Sequence, residues 1–286
     1  MTSPSATERT IRVGHSPDSD DAFMFYALTH DKLDNGGLRF IHQLEDIETL
    51  NRRALLGELE VSAVSIHAFA HLADQYALLA SGSSMGDRYG PKLIARRPLT
   101  LDDLRAGRTT IAIPGALTTA YLTLQLCLGK DVPTTILPFD QIIPAVLDER
   151  VEVGLIIHEG QLYYPDKGLY QVADLGQWWY DETGLPLPLG GNVVRKDLGD
   201  ELVNRIASLI KQSIVYALDH RQEALDYALT YARDLDPALA DKFIGMYVND
   251  WTVDYGPKGR EAVRLLLTRA WEAGLVPNPI QVQFVG

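Results

Sequence analysis

Residues 11–30 read IRVGHSPDSDDAFMFYALTH and form a strand–loop–helix unit. The apolar run IRVG is typical of a buried strand, and AFMFYALTH has the composition of a buried helix. The polar segment SPDSDD separates the two. This unit therefore indicates an α/β protein.

The same alternation continues along the chain. Strands are predicted at residues 38–46, 61–66, 76–83, 91–97, 109–115, 134–139, 151–160 and 169–176. Helices are predicted between them at residues 48–58, 99–107, 117–129 and 140–150, the second of which has a Thr cap at Thr100. Alternating strands and helices favour parallel sheets that are covered by helices.

From about residue 200 the pattern becomes helical throughout. Amphipathic segments cover residues 201–220, 222–235, 237–251 and 259–274. We expect two lobes: residues 1–97 form the first part of lobe 1, residues 98–190 form lobe 2, and residues 191–286 return to lobe 1. The C-terminal helices are expected to pack on lobe 1.

Composition excludes several classes of partner. The chain has 26 Lys and Arg against 38 Asp and Glu, a net charge of -12, which repels nucleic acid and anionic membranes. No run of about 18 apolar residues is present, and the opening MTSPSATERTIRVGH lacks a secretory pattern. The single cysteine, Cys127, fits helix packing better than a reactive role. We expect a cytoplasmic protein.

The ends of the predicted strands are where ligands bind in parallel α/β sheets. The segment GLIIHEG at 154–160 delivers His158 to such an end. An imidazole with its ordinary pKa of about 6.5 suits proton abstraction near neutral pH. The alternative is a structural histidine that is hydrogen-bonded within its loop.

The loop SPDSDD offers three carboxylates, Asp18, Asp20 and Asp21. Their spacing does not match the calcium loop or a phosphatase nucleophile. Capping of the following helix, a pocket role for Asp21, and a metal site are the alternatives.

Two further segments carry candidate ligands. His67 and His71 lie four residues apart in HAFAH, but Ala68 occupies the position where the zincin pattern needs a glutamate. In GALTTAY, Thr118 and Thr119 follow a strand at a predicted helix start, where backbone N–H groups and hydroxyls can hold an anion. An ordinary Thr cap is the alternative.

Segments over nearly the whole chain resemble one family. They are SPDSDDAFMFYAL (16–28), LEDIETLNRRALLGELEVSAVS (44–65), MGDRYGP (85–91), PGALTTAY (114–121), GLIIHEG (154–160), TGLPLPLG (183–190) and YVNDW (247–251). In this order they are similar to the 1,4-dihydroxy-6-naphthoate synthases of the futalosine route to menaquinone. The family implies a two-lobed, type II periplasmic-binding-protein-like fold, which it shares with chorismate dehydratase.

The resemblance also implies an activity. The family converts cyclic dehypoxanthinyl futalosine to 1,4-dihydroxy-6-naphthoate without a metal or an organic cofactor, and its only expected partner is this small molecule. Carried over by position, His158 is the catalytic base. Ser65, Thr118 and Thr119 contact the substrate, and Asp21 lies in the cleft.

The first loop departs from the family pattern. The family has SPCPNDTF where this chain has SPDSDDAF, so Asp21 is retained but two carboxylates, Asp18 and Asp20, are added. These charges should repel an anionic substrate unless they point away. Arg88 in MGDRYGP is a candidate to offset that repulsion.

Two other functions remain as alternatives. A non-catalytic receptor for small anions has the same fold, and chorismate dehydratase belongs to the same group. In YVNDW, Tyr247 and Trp251 lie four residues apart, a spacing that favours core packing over a place in the pocket.

Overall fold

The computed structural model of the chain describes residues 9–106, 109–232 and 236–286. Within these ranges the strands are β1 (Arg9–His15), β2 (Leu38–Leu44), β3 (Val61–Ser65), β4 (Tyr76–Leu79), β5 (Ser84–Gly86), β6 (Lys92–Ala95), β7 (Ile111–Ile113), β8 (Thr134–Ile136), β9 (Val153–Ile156), β10 (Tyr170–Asp174), β11 (Leu187–Arg195) and β12 (Phe284–Val285). The helices are α1 (Ser19–Thr29), α2 (Ile47–Leu55), α3 (Ile66–Phe69), α4 (Leu101–Arg105), α5 (Thr119–Leu128), α6 (Phe139–Leu147), α7 (Gly160–Tyr163), α8 (Leu175–Thr183), α9 (Asp200–Asp219), α10 (Arg221–Ala228), α11 (Pro237–Tyr247), α12 (Asp250–Val253) and α13 (Gly256–Glu272). Each of the predicted strands and helices therefore has a counterpart in the structure.

The strands form two sheets. The first has the order β12-β4-β11-β3-β1-β2, with β5 beside β11, and the second has the order β10-β6-β9-β7-β8. Pairs β1–β2, β1–β3, β7–β8 and β7–β9 are parallel. Both sheets are mixed and not parallel throughout as the alternation favoured, because β11 is antiparallel to β3 and β4, and β6 is antiparallel to β9 and β10.

The sequence does not indicate β11, the strand between β3 and β4. Its residues LPLGGNVVR include Pro188, which has no N–H to donate, and two glycines, a composition typical of a loop. The pairing of β11 with β5 is irregular between Pro188 and Gly190, which accommodates the proline. A Cβ atom at Gly191 would collide with the hydroxyl of Tyr255, so that glycine allows close packing.

The chain changes sheet twice. The strands of the second sheet all lie between Lys92 and Asp174, and the chain returns to the first sheet at β11. Both changes lie before the boundaries expected at 97/98 and 190/191.

Apolar side chains alternate between the two faces of the first sheet. On β3, Val61 joins a core with α1, α9, α10 and α11, whereas Val64 joins a core with α13 on the other face. The C-terminal helices thus cover the first sheet, as predicted. Residues 233–235 of the predicted helix 222–235, and Gly107 of the helix 99–107, lie outside the described residues.

Two helix starts follow from the sequence. Thr100 and Asp103 form a capping box at α4, as the predicted Thr cap requires. Asp46 caps α2, because its side chain accepts hydrogen bonds from the backbone N–H groups of Glu48 and Thr49. In the described part of the chain, no helix is both long and apolar enough to span a bilayer.

Candidate active site

A cavity lies between the two sheets, where the carboxyl ends of β1, β3 and β9 converge. The five residues predicted for the site all line it: Asp21, Ser65, Thr118, Thr119 and His158. The first sheet contributes the loop after β1 and the end of β3, and the second contributes the start of α5 and the loop after β9. Residues from both halves of the chain therefore face one space.

His158 is held in an unusual position at the end of β9. Its φ is 58°, in the left-handed region that costs a side-chain-bearing residue about 1–2 kcal/mol. Its Nδ1 lies 2.8 Å from Oδ2 of Asp18, and its ring packs against Phe139 with the centroids 4.5 Å apart. Its Nε2 is buried and has no hydrogen-bond partner among the described residues. The imidazole is thus fixed through one nitrogen only.

The carboxylates around His158 raise its pKa. Burial of the ring alone would lower the pKa, but the charge and hydrogen bond of Asp18, with the charges of Glu159 and Asp20, raise it to about 9. At pH 7 roughly 1 % of such a group is neutral. His158 is therefore mainly an imidazolium at neutral pH, and the expectation that it has its ordinary pKa of about 6.5 is wrong.

Two of the aspartates after β1 bond to Ser16 of their own loop. Asp18 is at the N-cap position, yet its side chain makes no capping hydrogen bond; Ser16 Oγ donates to it instead. Asp21 accepts a hydrogen bond from the Ser16 backbone N–H at 2.7 Å. The interpretation of this loop as capping alone is therefore wrong, and no cluster of metal ligands is found among the described residues.

Burial gives two of these carboxyl groups raised pKa values. Burial and the charges of Asp21 and Asp18 raise the pKa of Asp20 well above its ordinary value. Burial also raises the pKa of Asp21 to about 7, although the hydrogen bond from Ser16 opposes the shift. The loop therefore carries less negative charge at neutral pH than its sequence indicates.

Ser65 ends β3 and is oriented by Asn51 of α2. The Asn51 side-chain amide donates to Ser65 Oγ at 3.1 Å, and its carbonyl oxygen accepts from the Ser65 backbone N–H at 2.8 Å. Asn51 is fully buried. The hydroxyl of Ser65 can still donate its hydrogen to a ligand in the cavity.

The two threonines use their hydroxyl groups within the protein. Thr118 Oγ1 donates to the carbonyl of Gly115 at 2.9 Å, and Thr119 Oγ1 donates to the carbonyl of Leu189 at 2.6 Å. The Thr118 hydroxyl also accepts from the Tyr121 N–H, so it is the N-cap of α5. The hydrogen-bond donors available to a ligand here are therefore the first backbone N–H groups of α5, which have no acceptor within the helix.

His67 supports this region rather than a metal. Its ring Nδ1 lies 3.3 Å from the carbonyl oxygen of Thr118, and its backbone N–H donates to Thr119 Oγ1. Burial and the neighbouring His71 lower the pKa of His67 to about 4, so the ring is neutral. In that state Nδ1–H donates to Thr118.

Arg88 does not offset the negative charge of the loop after β1. Its guanidinium donates to the Tyr180 hydroxyl at 2.7 Å and stacks on the Tyr180 ring, in a separate surface pocket. No lysine or arginine is among the described residues that line the site. Positive charge in the cavity is therefore supplied by His158.

Sequence reasoning missed several residues of the cavity wall. Tyr247, expected in the core, lines the cavity and donates to Gln161 Oε1 at 3.0 Å. Asn192 lines it from β11, and its Oδ1 has no hydrogen-bond partner among the described residues. The spacing of YVNDW gave no signal for Tyr247, and Asn192 lies on the strand that the sequence did not indicate.

The fold defines a class of protein. The alkanesulfonate-binding protein SsuA from Xanthomonas axonopodis pv. citri, solved with MOPS, superposes with a TM-score of 0.70 at 13% identity, over 97% of this chain and 98% of that one. Protein AF1704 from Archaeoglobus fulgidus superposes with a TM-score of 0.88 at 46% identity, over 93% of this chain and 98% of that one. The chain has the periplasmic-binding-protein-like fold.

Sequence comparison gives the family. A 1,4-dihydroxy-6-naphtoate synthase from Thermus thermophilus is 42% identical over 271 residues, 94% of this chain and 97% of that protein. The enzyme of the same name from Streptomyces coelicolor is 39% identical over 273 residues, 94% of this chain and 95% of that protein. Residues 11–272 match the family described as menaquinone biosynthesis, and the chain belongs to that family. It is an enzyme of the lyase class.

Proposed function

We propose that this protein cleaves cyclic dehypoxanthinyl futalosine and releases 1,4-dihydroxy-6-naphthoate, with His158 as the general base. The observation that carries the proposal is the placement of His158, whose Nδ1 is held by Asp18 while its Nε2 has no partner among the described residues of the cavity wall. The two relatives that bear the name 1,4-dihydroxy-6-naphtoate synthase support the product. A biosynthetic role of this kind favours the cytoplasm, which stays a prediction.

The proton transfer follows from the geometry of the imidazole. Neutral His158 with its hydrogen on Nδ1 has its lone pair on Nε2, and that atom removes a proton from the sugar-derived ring of the substrate. The electron pair left by the proton drives cleavage of the carbon–carbon bond to the sugar-derived part of the substrate. That part leaves as a small fragment, and formation of the aromatic product supplies driving force. The imidazolium that forms is stabilised by Asp18 at 2.8 Å.

The other side of the cavity is suited to the acidic end of the substrate. Backbone N–H groups at the start of α5 and the Ser65 hydroxyl are donors, and the positive end of the helix dipole favours an anion. We assign Ser65 and the backbone at Thr118 and Thr119 to this contact. Asp20 and Asp21, with raised pKa values, repel an anion less than ordinary carboxylates would.

The two sheets, in this proposal, form two lobes that close over the substrate. Closure excludes water from the reacting atoms and brings residues of both sheets to them. We assign the division of the lobes to the two changes of sheet, before β6 and before β11.

The first test is incubation of the purified protein with cyclic dehypoxanthinyl futalosine, followed by mass detection of the naphthoate. His158→Ala should decrease the rate by about 10² to 10⁴ because the base is lost. His71→Ala, which removes an exposed imidazole outside the cavity, is the matched control and should keep the parent rate. A decrease of only a few-fold in His158→Ala would exclude His158 as the base.

The same assay separates the alternatives. Consumption of chorismate by the parent protein, with no naphthoate formed from cyclic dehypoxanthinyl futalosine, would indicate a chorismate dehydratase. Binding of small carboxylates in a thermal-shift screen, with no turnover of either compound, would indicate an anion receptor.

A further inference from the structure

We propose that Asp18 is the positioning residue for His158: its carboxylate fixes the proton of the imidazole on Nδ1 and directs Nε2 to the substrate. The inference rests on the proposed function, because it assigns the residue that prepares the base.

The contact itself is specific. Asp18 is 1% exposed, and its Oδ2 lies 2.8 Å from Nδ1 of His158. Ser16 Oγ donates to the same Oδ2, so the orientation of the carboxylate is fixed from its own loop. Asp18 makes no capping hydrogen bond to α1, although it is at the N-cap position. This buried carboxylate contacts an imidazole on another element and does not cap its own helix. Its placement therefore indicates that it holds the imidazole.

The contact joins the two sheets. Asp18 follows β1 of the first sheet, and His158 follows β9 of the second. His158 has a left-handed backbone and packs against Phe139 of α6, but its ring receives its hydrogen-bond partner from the opposite sheet. His158 therefore has Asp18 as its Nδ1 partner only when the two sheets are arranged as they are in this structure.

The chemistry depends on which nitrogen carries the hydrogen. A carboxylate at Nδ1 can only accept, so the hydrogen stays on Nδ1 and the lone pair remains on Nε2. An asparagine at position 18 can offer its NH₂ group to Nδ1 instead. The hydrogen of the neutral ring would then move to Nε2, which could no longer accept a proton from the substrate.

Other charged groups also face His158. Asp20 and Asp21 face it from the start of α1, and Glu159 follows it in its own loop. Asp18 is the neighbour that contacts Nδ1 of the His158 ring, at 2.8 Å. Asp20→Asn is therefore the matched control, because it changes a neighbouring carboxyl group and keeps the Nδ1 contact.

The first measurement needs no substrate. Nitrogen NMR of protein with ¹⁵N-labelled histidine, with the His158 signals assigned by their loss in His158→Ala, gives the tautomer and the titration. In the parent we expect neutral His158 to be protonated on Nδ1 and its titration midpoint to lie near pH 9. In Asp20→Asn the midpoint should lie within about one pH unit of the parent value. In Asp18→Asn the midpoint should fall by about 2 pH units or more, and the tautomer should change.

The second measurement is the pH dependence of kcat/KM. In Asp18→Asn, the rise of kcat/KM that reports ionisation of the base should move to lower pH, and kcat/KM at high pH should decrease by about 10² or more. In Asp20→Asn the rise should stay at the pH of the parent. Parent protein with its neutral His158 protonated on Nε2 would overturn the inference, even if Asp18→Asn fails to fold. A parent that shows the expected NMR behaviour but no turnover would overturn the proposed reaction and leave the Asp18 contact established.

Discussion

Asp21 is a buried carboxyl group whose charge changes near neutral pH. Its pKa is about 7 in the folded protein because of burial, against 3.8 as the ordinary value. Between these values the folded state holds a proton that the unfolded chain has released. The contribution of this group to stability is therefore fully present below pH 3.8 and is lost as the pH rises through about 7.

Asp21→Asn should remove this dependence. The amide oxygen can still accept from the Ser16 N–H, so the local geometry is retained. At pH 8 we expect the free energy of unfolding to exceed that of the parent by about 1–4 kcal/mol, since one pKa unit corresponds to about 1.4 kcal/mol. The difference should shrink toward pH 4. Urea unfolding at pH 4.5, 6, 7 and 8 measures it, and a difference that does not vary with pH would contradict the assignment.

At the scale of elements, α2 holds the end of β3 through Asn51. Asn51→Ala leaves the buried Ser65 N–H without its acceptor, which should decrease the free energy of unfolding by about 1–3 kcal/mol. KM should also increase because Ser65 Oγ loses its donor. Urea unfolding and steady-state kinetics test this. Leu56→Ala, at an exposed position after the same helix, should stay within about 0.5 kcal/mol of the parent, and equal effects of the two variants would refute the role of Asn51.

The elements also show what the sequence could predict. Segments such as 11–30 were recognisable because hydrophobic period and polar loops act over a few residues. The strand β11 was not recognisable from its sequence. Its proline and glycines are tolerated in a strand only because it pairs with strands that are distant in the chain. The strand ends located candidate residues such as His158, but the contact of His158 with Asp18 depends on how two sheets face each other. No local pattern encodes that contact.

At the scale of the whole molecule, a further contact crosses between the sheets beside the cavity. Oε2 of Glu48, in the first turn of α2, accepts from the backbone N–H of Leu117 at 3.1 Å. Gly115 allows this approach, because a Cβ atom there would lie 2.5 Å from the same oxygen. Arg52 binds the other oxygen of Glu48 from the exposed side of the helix. Glu48 and Asp18 therefore both hold the loops of the second sheet against the first.

Glu48→Ala should loosen this arrangement. Without its acceptor the Leu117 N–H exchanges with solvent more readily, and the protein populates open forms in which Asp18 and His158 are apart. We expect faster deuterium uptake over residues 114–119, and a larger increase in KM than decrease in kcat, because a fraction of the protein must first close. Mass-detected hydrogen exchange in the absence of substrate is the measurement.

Two control variants separate the hydrogen bond from the rest of the Glu48 side chain. Glu48→Gln keeps an oxygen that can accept from Leu117, so its exchange should remain close to the parent's. Arg52→Ala removes the exposed ion pair, which contributes at most about 1 kcal/mol, and leaves the contact with Leu117 intact. If Glu48→Ala and Glu48→Gln exchange alike, the carboxylate acts by its charge. If none of the variants differs from the parent, this contact does not hold the sheets together, and the closed arrangement depends on the other contacts between them. These include Asp18 with His158, Thr119 with Leu189 and Tyr247 with Gln161.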